Sequence, residues 1–285
     1  MIDPRELLRL DIPVTEQRWD ERDCALYALG VGLGADPLDG RQLSFLDERR
    51  MIVAAPTMAT VLAYKGFWIE QVPAGVEVAG VLHAEQRLEL HRPLPCRGYA
   101  LRKTRPTGVV DRGDRGAHIF IRETIEHAED GGPLATLSSR IVSRGDGGCG
   151  STREAPGRRR AVPDRVPDLT FEVPTLPQQA LLYRLSGDHN PLHLDPTFAR
   201  GAGFGRPILH GLGTFGMVGM ALLGRLCDFR SERFRSLDVR FSAVVFPGET
   251  LEVSVWSTGE GEAMFSAGVA GRGAVLDAGV FGFAP

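Results

Sequence analysis

Apolar and polar residues alternate through the C-terminal part of the chain. Leu237, Val239, Phe241, Ala243 and Val245 are separated by Asp238, Arg240, Ser242 and Val244, the period of a half-buried strand. Pro247-Gly248 supplies a turn, Leu251, Val253 and Val255 alternate again, and Gly259 to Gly261 turns the chain once more. Met264 to Ala270 and Ala274 to Phe283 complete an antiparallel meander. Ahead of it, the apolar stretch from Pro207 to Gly224 predicts a helix over roughly Ile208 to Leu226. Gly213, Gly216 and Gly219 recur every third residue along it. Each glycine costs a helix about 1 kcal/mol, so the repetition predicts a backbone pressed closely against a neighbour. Asp195-Pro196 reads as an N-cap and first turn of a short helix through Arg200, ended by Gly201 and Gly203. One long helix followed by a sheet able to wrap it is an α+β layout.

The first half repeats this order faintly. Tyr27-Ala28-Leu29 can be laid on Tyr183-Arg184-Leu185, and Pro56, like Pro207, precedes an apolar stretch, here through Trp68. Strand-like runs follow at Val76 to His91, Tyr99 to Thr104, Ala117 to His127 and Leu134 to Ser143. On that ungapped offset Gly32 falls at the position of Asp188 and Pro37 at that of His193, so only the second half keeps both groups. Between the halves, Gly145 to Pro167 is rich in glycine, proline and charge and has no apolar period. The chain therefore divides into residues 1–150, a linker over 151–166, and residues 167–285. Arg158, Arg159 and Arg160 in the linker read as a solvated charge run, or else as contacts for a phosphate-bearing ligand.

Composition narrows the class. With 285 residues, 43% of them hydrophobic and 24% charged, the sequence is that of a globular protein of two ordinary domains. A net charge of −3 argues against a nucleic-acid partner. Cys24, Cys96, Cys149 and Cys227 show no paired spacing, as expected of reduced thiols in the cytoplasm. The apolar run at Pro207 falls short of the ~20 residues that span a bilayer, so no membrane segment is expected. Gly30, Gly32 and Gly34 follow a helical stretch, Asp23 to Leu29, rather than a strand, and so do not make a dinucleotide loop. His83 and His91 lie in a strand-like run and read as packing or surface residues.

The chemistry sits in YRLSGDHNPLHLDPTFA, Tyr183 to Ala199. Pro191 disfavours helical geometry at Asn190, so Asp188 and His193 can turn toward one point. A carboxylate and an imidazole there can handle a water and a proton at neutral pH, titrating as one coupled unit. The same residues read also as a turn aspartate and a satisfied histidine at a helix start. A metal reading through His189, His193 and Asp195 lacks the helical spacing of zinc proteases.

This segment resembles the signature of the hydratase 2 family, the (3R)-specific enoyl-CoA hydratases grouped with MaoC-like dehydratases. Tyr183, Leu185, Ser186-Gly187-Asp188, Asn190-Pro191-Leu192-His193 and Ala199 carry the likeness, with Phe204, Arg206-Pro207-Ile208 and His210-Gly211 at the expected distance. YALGVG at Tyr27, APTMA at Ala55, LHAEQRLELHRPLP at Leu82, RGDGG at Arg144 and RFSAVVFPGETL at Arg240 extend it over most of the chain.

The resemblance implies a double hot-dog, two tandem units each with a central helix wrapped by an antiparallel sheet, of which only the second is catalytic. It implies Asp188 and His193 as the pair acting on water, Asn190 as their support, and the backbone N–H of Gly211 as the donor to the thioester oxygen. Glycine allows close approach there, and a helix N-terminus favours developing negative charge. It further implies reversible hydration of trans-2-enoyl-CoA to (3R)-3-hydroxyacyl-CoA without metal or cofactor, coenzyme A being part of the substrate. A homodimer is expected, as is a first half that makes room for the acyl tail, with Phe67, Trp68 and Val61 to Tyr64 as core or tail-lining residues. The alternatives are a dehydratase acting on carrier-protein or bulky steroid side-chain thioesters, a non-catalytic acyl-thioester binding partner, and a hot-dog thioesterase.

Overall fold

The computed structural model describes residues 2–49, 52–70, 72–76 and 80–285. After the short helix α1 (Pro4–Leu7) and strand β1 (Thr15–Trp19) comes helix α2 (Glu21–Gly30). Asp20 caps α2 by accepting from the N–H groups of Arg22 and Asp23, while Asp23 returns the bond to the Asp20 backbone. Four long strands follow: β2 (Val81–Leu90), β3 (Gly98–Asp111), β4 (Ala117–His127) and β5 (Pro133–Ser143). The second half opens with β6 (Leu169–Pro174), then α3 (Gln179–Tyr183), α4 (Pro196–Gly201) and the long helix α5 (Gly211–Cys227). It closes with β7 (Phe234–Phe241), β8 (Thr250–Gly259), β9 (Glu262–Val269) and β10 (Gly273–Phe283).

The ten strands form one antiparallel sheet in the order β1-β3-β4-β5-β2-β7-β10-β9-β8-β6. Read outward from the middle, each half runs through its strands in the same sequence, so the duplication suspected from Tyr27 and Tyr183 is visible in the topology. The seam is β2 against β7, paired from Glu85↔Arg240 to Glu89↔Ser236. The fold is a double hot-dog. One apolar cluster includes Leu88, Ile125 and Leu137 of the first half and Leu237, Val253 and Phe265 of the second, so the halves share a core.

The helical layer is unequal. In the second half α5 presents Phe215, Met217, Val218, Met220, Leu222 and Leu223 to the core, all buried. In the first half the stretch after Pro56 forms only a buried 3-10 turn, Pro56–Thr60, and the layer is shared with α2. Left-handed backbone at Ala63 (φ 54°) and Gly66 (φ 92°) breaks the chain before a long helix can develop.

The spaced glycines have the role their pattern suggested. A Cβ on Gly216 would lie 2.6 Å from Val31 Cγ1 and 2.8 Å from Tyr27 Oη, and one on Gly219 would lie 2.7 Å from Leu237 Cδ2. Helix α5 thus packs its backbone against α2 and the seam strand.

Strand β3 continues beyond the expected Tyr99 to Thr104 through Asp111, with a bulge between Pro106 and Gly108. The expected strand from Val76 is seen from Val81; residues 77–79 lie outside those described. Strands β1 and β6 are additions to the sequence reading.

Gly216→Ala is expected to destabilise the protein by about 1–3 kcal/mol through overpacking, despite alanine's better helix propensity. Urea denaturation followed by circular dichroism would measure it.

Candidate active site

The site is assembled by one extended segment, Pro207 to His210, that leads into α5. The Ile208 N–H donates to the Leu192 carbonyl at 3.4 Å, and the Leu209 N–H to the Val245 carbonyl at 2.7 Å. The Ile208 carbonyl accepts from His193 Nδ1 at 2.9 Å. The His210 ring donates from Nε2 to the Asp188 carbonyl at 3.2 Å. Four backbone groups and two rings therefore tie the Asp188–His193 loop to the start of α5.

These bonds set the tautomers. A carbonyl accepts only, so His193 carries its proton on Nδ1 and offers the Nε2 lone pair, while His210 carries its proton on Nε2. His193 is buried, and burial lowers its pKa, opposed by the Ile208 carbonyl and the charge of Asp188. His210 is 1% exposed. Burial first, and then neighbouring His193, hold its pKa down at about 2. Both rings are neutral near pH 7.

The sequence placed Asp188 and His193 together, and the structure does so. A carboxylate oxygen of Asp188 and one ring nitrogen each of His193 and His210 lie within 4.8 Å of one another. Two acceptors at that separation can share one water, each taking a hydrogen bond of about 2.8 Å. Gripped by both hydrogens, the water turns its lone pair outward, which is the orientation a nucleophile needs.

Asn190 does local work. Its Oδ1 accepts from the Leu192 N–H at 3.0 Å, capping the 3-10 turn Pro191–His193, and its own N–H donates to Asp188 Oδ1 at 3.3 Å. Gly211 opens α5, which no side chain caps, so the leading N–H groups are left for another acceptor. Phe241 covers it closely, since a Cβ there would sit 3.4 Å from Cε1.

His189 and Asp195 do not join the cluster. His189 is exposed, and Asp195 spends its Oδ1 capping α4 through the N–H groups of Thr197 (2.7 Å) and Phe198 (3.3 Å). The cluster that does form suits water better than a metal ion. The His193 and His210 rings stack at 3.6 Å between centroids with 27° between planes, and stacked imidazoles are an unusual way to present two ligands to one ion.

The sequence reading missed the His210 side chain as part of the site, although it had marked the His210-Gly211 pair. The first half, expected to make room for the acyl tail through residues that include Tyr64, also brings His83 near the site, where the sequence suggested only packing or surface. The charge of Asp188 reaches Tyr64 and His83: Tyr64 is pushed up by burial and then by Asp188, while burial lowers His83. His83 packs on Phe241 at 5.0 Å, and the Arg102 guanidinium lies 5.3 Å above the Tyr64 ring. Arg102 is itself buried and paired with Glu123 at 2.7 Å. The second half of the chain thus holds Asp188 and His193 opposite a polar wall built by the first. At the equivalent positions of the first half there is no such pair: Gly32, with φ 83°, closes on Met217 of α5.

Sequence and structure comparisons match this organisation. The family model described as "MaoC like domain" matches residues 159–275, and that of the "MFE-2 hydratase 2 N-terminal domain" matches residues 18–145. The chain is 42% identical over 265 residues to the enoyl-CoA hydratase ChsH3 of Mycobacterium tuberculosis, covering 90% of each chain. It is 37% identical to the 3-hydroxyacyl-thioester dehydratase Y of the same organism, covering 95% of this chain and 92% of that one. A crystal structure of a MaoC-like dehydratase from Phytophthora capsici superposes with a TM-score of 0.86 at 35% identity, over 98% of both chains.

The neutral histidines give a pH test. Native His210 stays unprotonated down to about 2, against 6.5 for the unconstrained group, so below 6.5 the unfolded chain binds the extra proton. Stability should fall as pH drops, by up to about 1.4 kcal/mol per pH unit for such a group, and should be unaffected above 6.5. His210→Phe should flatten the stability profile between about pH 6 and pH 4, measured by denaturant melts.

Proposed function

Because the chain belongs to the MaoC-like hydratase 2 family, and is therefore a hydro-lyase of CoA thioesters, we propose that it hydrates trans-2-enoyl-CoA reversibly to (3R)-3-hydroxyacyl-CoA. The observation that carries this reading is the convergence of an Asp188 carboxylate oxygen and a ring nitrogen of His193 within 4.8 Å, beside the uncapped start of α5.

In the hydration direction the thioester oxygen takes up the Gly211 N–H, and negative charge grows on it as a water oxygen bonds to C3. The helix dipole and the exposed donor stabilise that charge; loss of one such donor typically costs about 10²- to 10³-fold. One proton of the water passes to the Asp188–His193 pair, and the other stays on the new hydroxyl. The pair returns its proton to C2 on the same face, and the C2–C3 double bond becomes single. His193 is held for this by Ile208, Asp188 by the Asn190 N–H and the His210 contact.

Residues 167–285 carry the catalysis in this reading, and residues 1–150 shelter the acyl group, with 151–166 connecting them. The short 3-10 turn at Pro56–Thr60, where the other half has a 17-residue helix, supports that division. Free thiols at all four cysteines support a cytoplasmic setting, and no helix among the described residues is long and apolar enough to cross a membrane. A homodimer belongs to the same proposal, with sedimentation velocity as its check.

Asp188→Asn and His193→Gln should each lower turnover by about 10²- to 10⁴-fold with an unchanged circular dichroism spectrum. The assay is loss of the conjugated enoyl absorbance, and near-normal rates in either variant would remove the dyad. Chiral chromatography should return the 3R product; the 3S product, or free CoA detected with a thiol-reactive dye, would contradict the reaction. A panel of CoA and carrier-protein thioesters of rising chain length and bulk separates this function from a carrier-protein dehydratase.

A further inference from the structure

The outer face of the sheet holds a second cluster of charge that the reaction does not use. A cavity of about 420 Å³ opens there, over the seam and the first half, under the linker. Arg87 of β2, Arg122 of β4, Arg140 of β5, and Arg153 and Arg159 of the linker line it, with only Glu85 and Asp238 as acidic residues. Side chains alternate along a strand. Glu123 turns inward to Arg102, so Arg122 beside it points away from Asp188 and toward this outer cavity.

The two carboxylates are already shared. Glu85 pairs with Arg140 at 2.6 Å and Arg159 at 3.7 Å, and Asp238 with Arg159 at 2.8 Å and Arg87 at 4.0 Å. Among the described residues, Arg122 and Arg153 have no carboxylate partner. Arg153 lies instead across the Phe120 ring at 4.6 Å, its aliphatic stem resting on the bare backbone of Gly108. Arg87 also has Glu89 at 3.6 Å, so five guanidinium groups face three carboxylates and two positive charges are left over. The Nε–H groups of Arg140 and Arg159 are buried with no acceptor, an arrangement that costs free energy unless an acceptor arrives. Hydroxyl groups of Thr107, Ser138 and Ser139 line the same cavity.

We propose that this cavity is a binding site for a phosphate-bearing small molecule, held by Arg122 and Arg153 with Arg140 and Arg159 behind them. Planar guanidinium forks match phosphate oxygens, and a ligand of about two negative charges would neutralise the excess. The linker arginines, read as either a solvated run or a phosphate contact, differ in their placement. Arg158 is exposed, Arg160 pairs with Glu262 at 2.8 Å, and Arg159 enters the cavity. Burial and the charges of Arg159, Arg240 and Arg112 lower the Arg140 pKa, opposed by Glu85, a sign of crowded positive charge. Two sources share the chemistry: a free phosphate or pyrophosphate, and the phosphorylated nucleotide end of a CoA molecule.

The test is calorimetric titration of the full chain with pyrophosphate and, separately, with adenosine 3′,5′-bisphosphate at low ionic strength. Wild type should bind one equivalent, more weakly as salt is raised. Arg122→Gln/Arg153→Gln should bind about tenfold more weakly or worse, the size of at least one lost charge-assisted bond. Neither residue holds an ion pair, so the variant should fold and keep its turnover on enoyl-CoA. Comparable binding of both probes identifies free phosphate as the source, and preference for the bisphosphate identifies the nucleotide; either keeps the site. Binding equal in wild type and variant, or no saturable binding in wild type, overturns it. Loss of the catalytic reading would leave this result untouched, since the readout is binding alone.

Discussion

The extended segment from Pro207 to His210 is the constraint on which the site depends. It is neither helix nor sheet, yet its backbone is satisfied on both sides, by Leu192 and His193 toward the loop and by Val245 toward the sheet. Sliding it by one residue would exchange the carbonyl that fixes the His193 tautomer for an N–H, and would move the first turn of α5 away from Asp188. Stacking of the two imidazoles then covers one flank of His193, and burial lowers its pKa. The His193 ring, its tautomer and the first turn of α5 are consequently one object and not three independently placed groups.

The two halves divide labour through a common sheet. The seam brings Glu85, Gln86, Arg87, Leu88 and Glu89 alongside the strand that carries Phe241, so His83 and Tyr64 of the first half reach the environment of Asp188. Tyr27 and Tyr183, the residues that first suggested a duplication, pack on one another at 6.0 Å near the centre of the molecule. Gly30 lets them do so, because a Cβ there would stand 3.2 Å from the Tyr183 backbone. The first half has the corresponding packing elements, and its Gly32 lies against Met217 of α5.

Much of this was legible in the sequence where local rules dominate. Period-two alternation located the β7 and β8 runs and the rest of the meander, a capping aspartate located α4, and the glycine spacing of α5 announced its close packing. The Asp188–His193 pair was legible because a proline sits between them and both lie in one short segment. What was not legible depends on contacts between distant residues. Strand β1 is polar at most positions and is a strand only because β3 pairs with it from Thr15↔Arg102 to Trp19↔Gly98. Ile208 to His210 look helical by composition, but the Val245 carbonyl draws them out of the helix. His210 becomes part of the site only through its stack on His193, and the linker arginines acquire meaning only once Glu85, Asp238 and Glu262 are beside them.

The seam also decides how copies of this chain can meet. In joining, β2 and β7 use up the long central edges that single units would otherwise present to each other. The outermost strands are all that remain: five residues in β1, and six in β6 ending in a proline that has no N–H to donate. Among the described residues these short edges are the open ends of the sheet. Joining the two units through β2 and β7 thus leaves one continuous sheet with a short strand at each end.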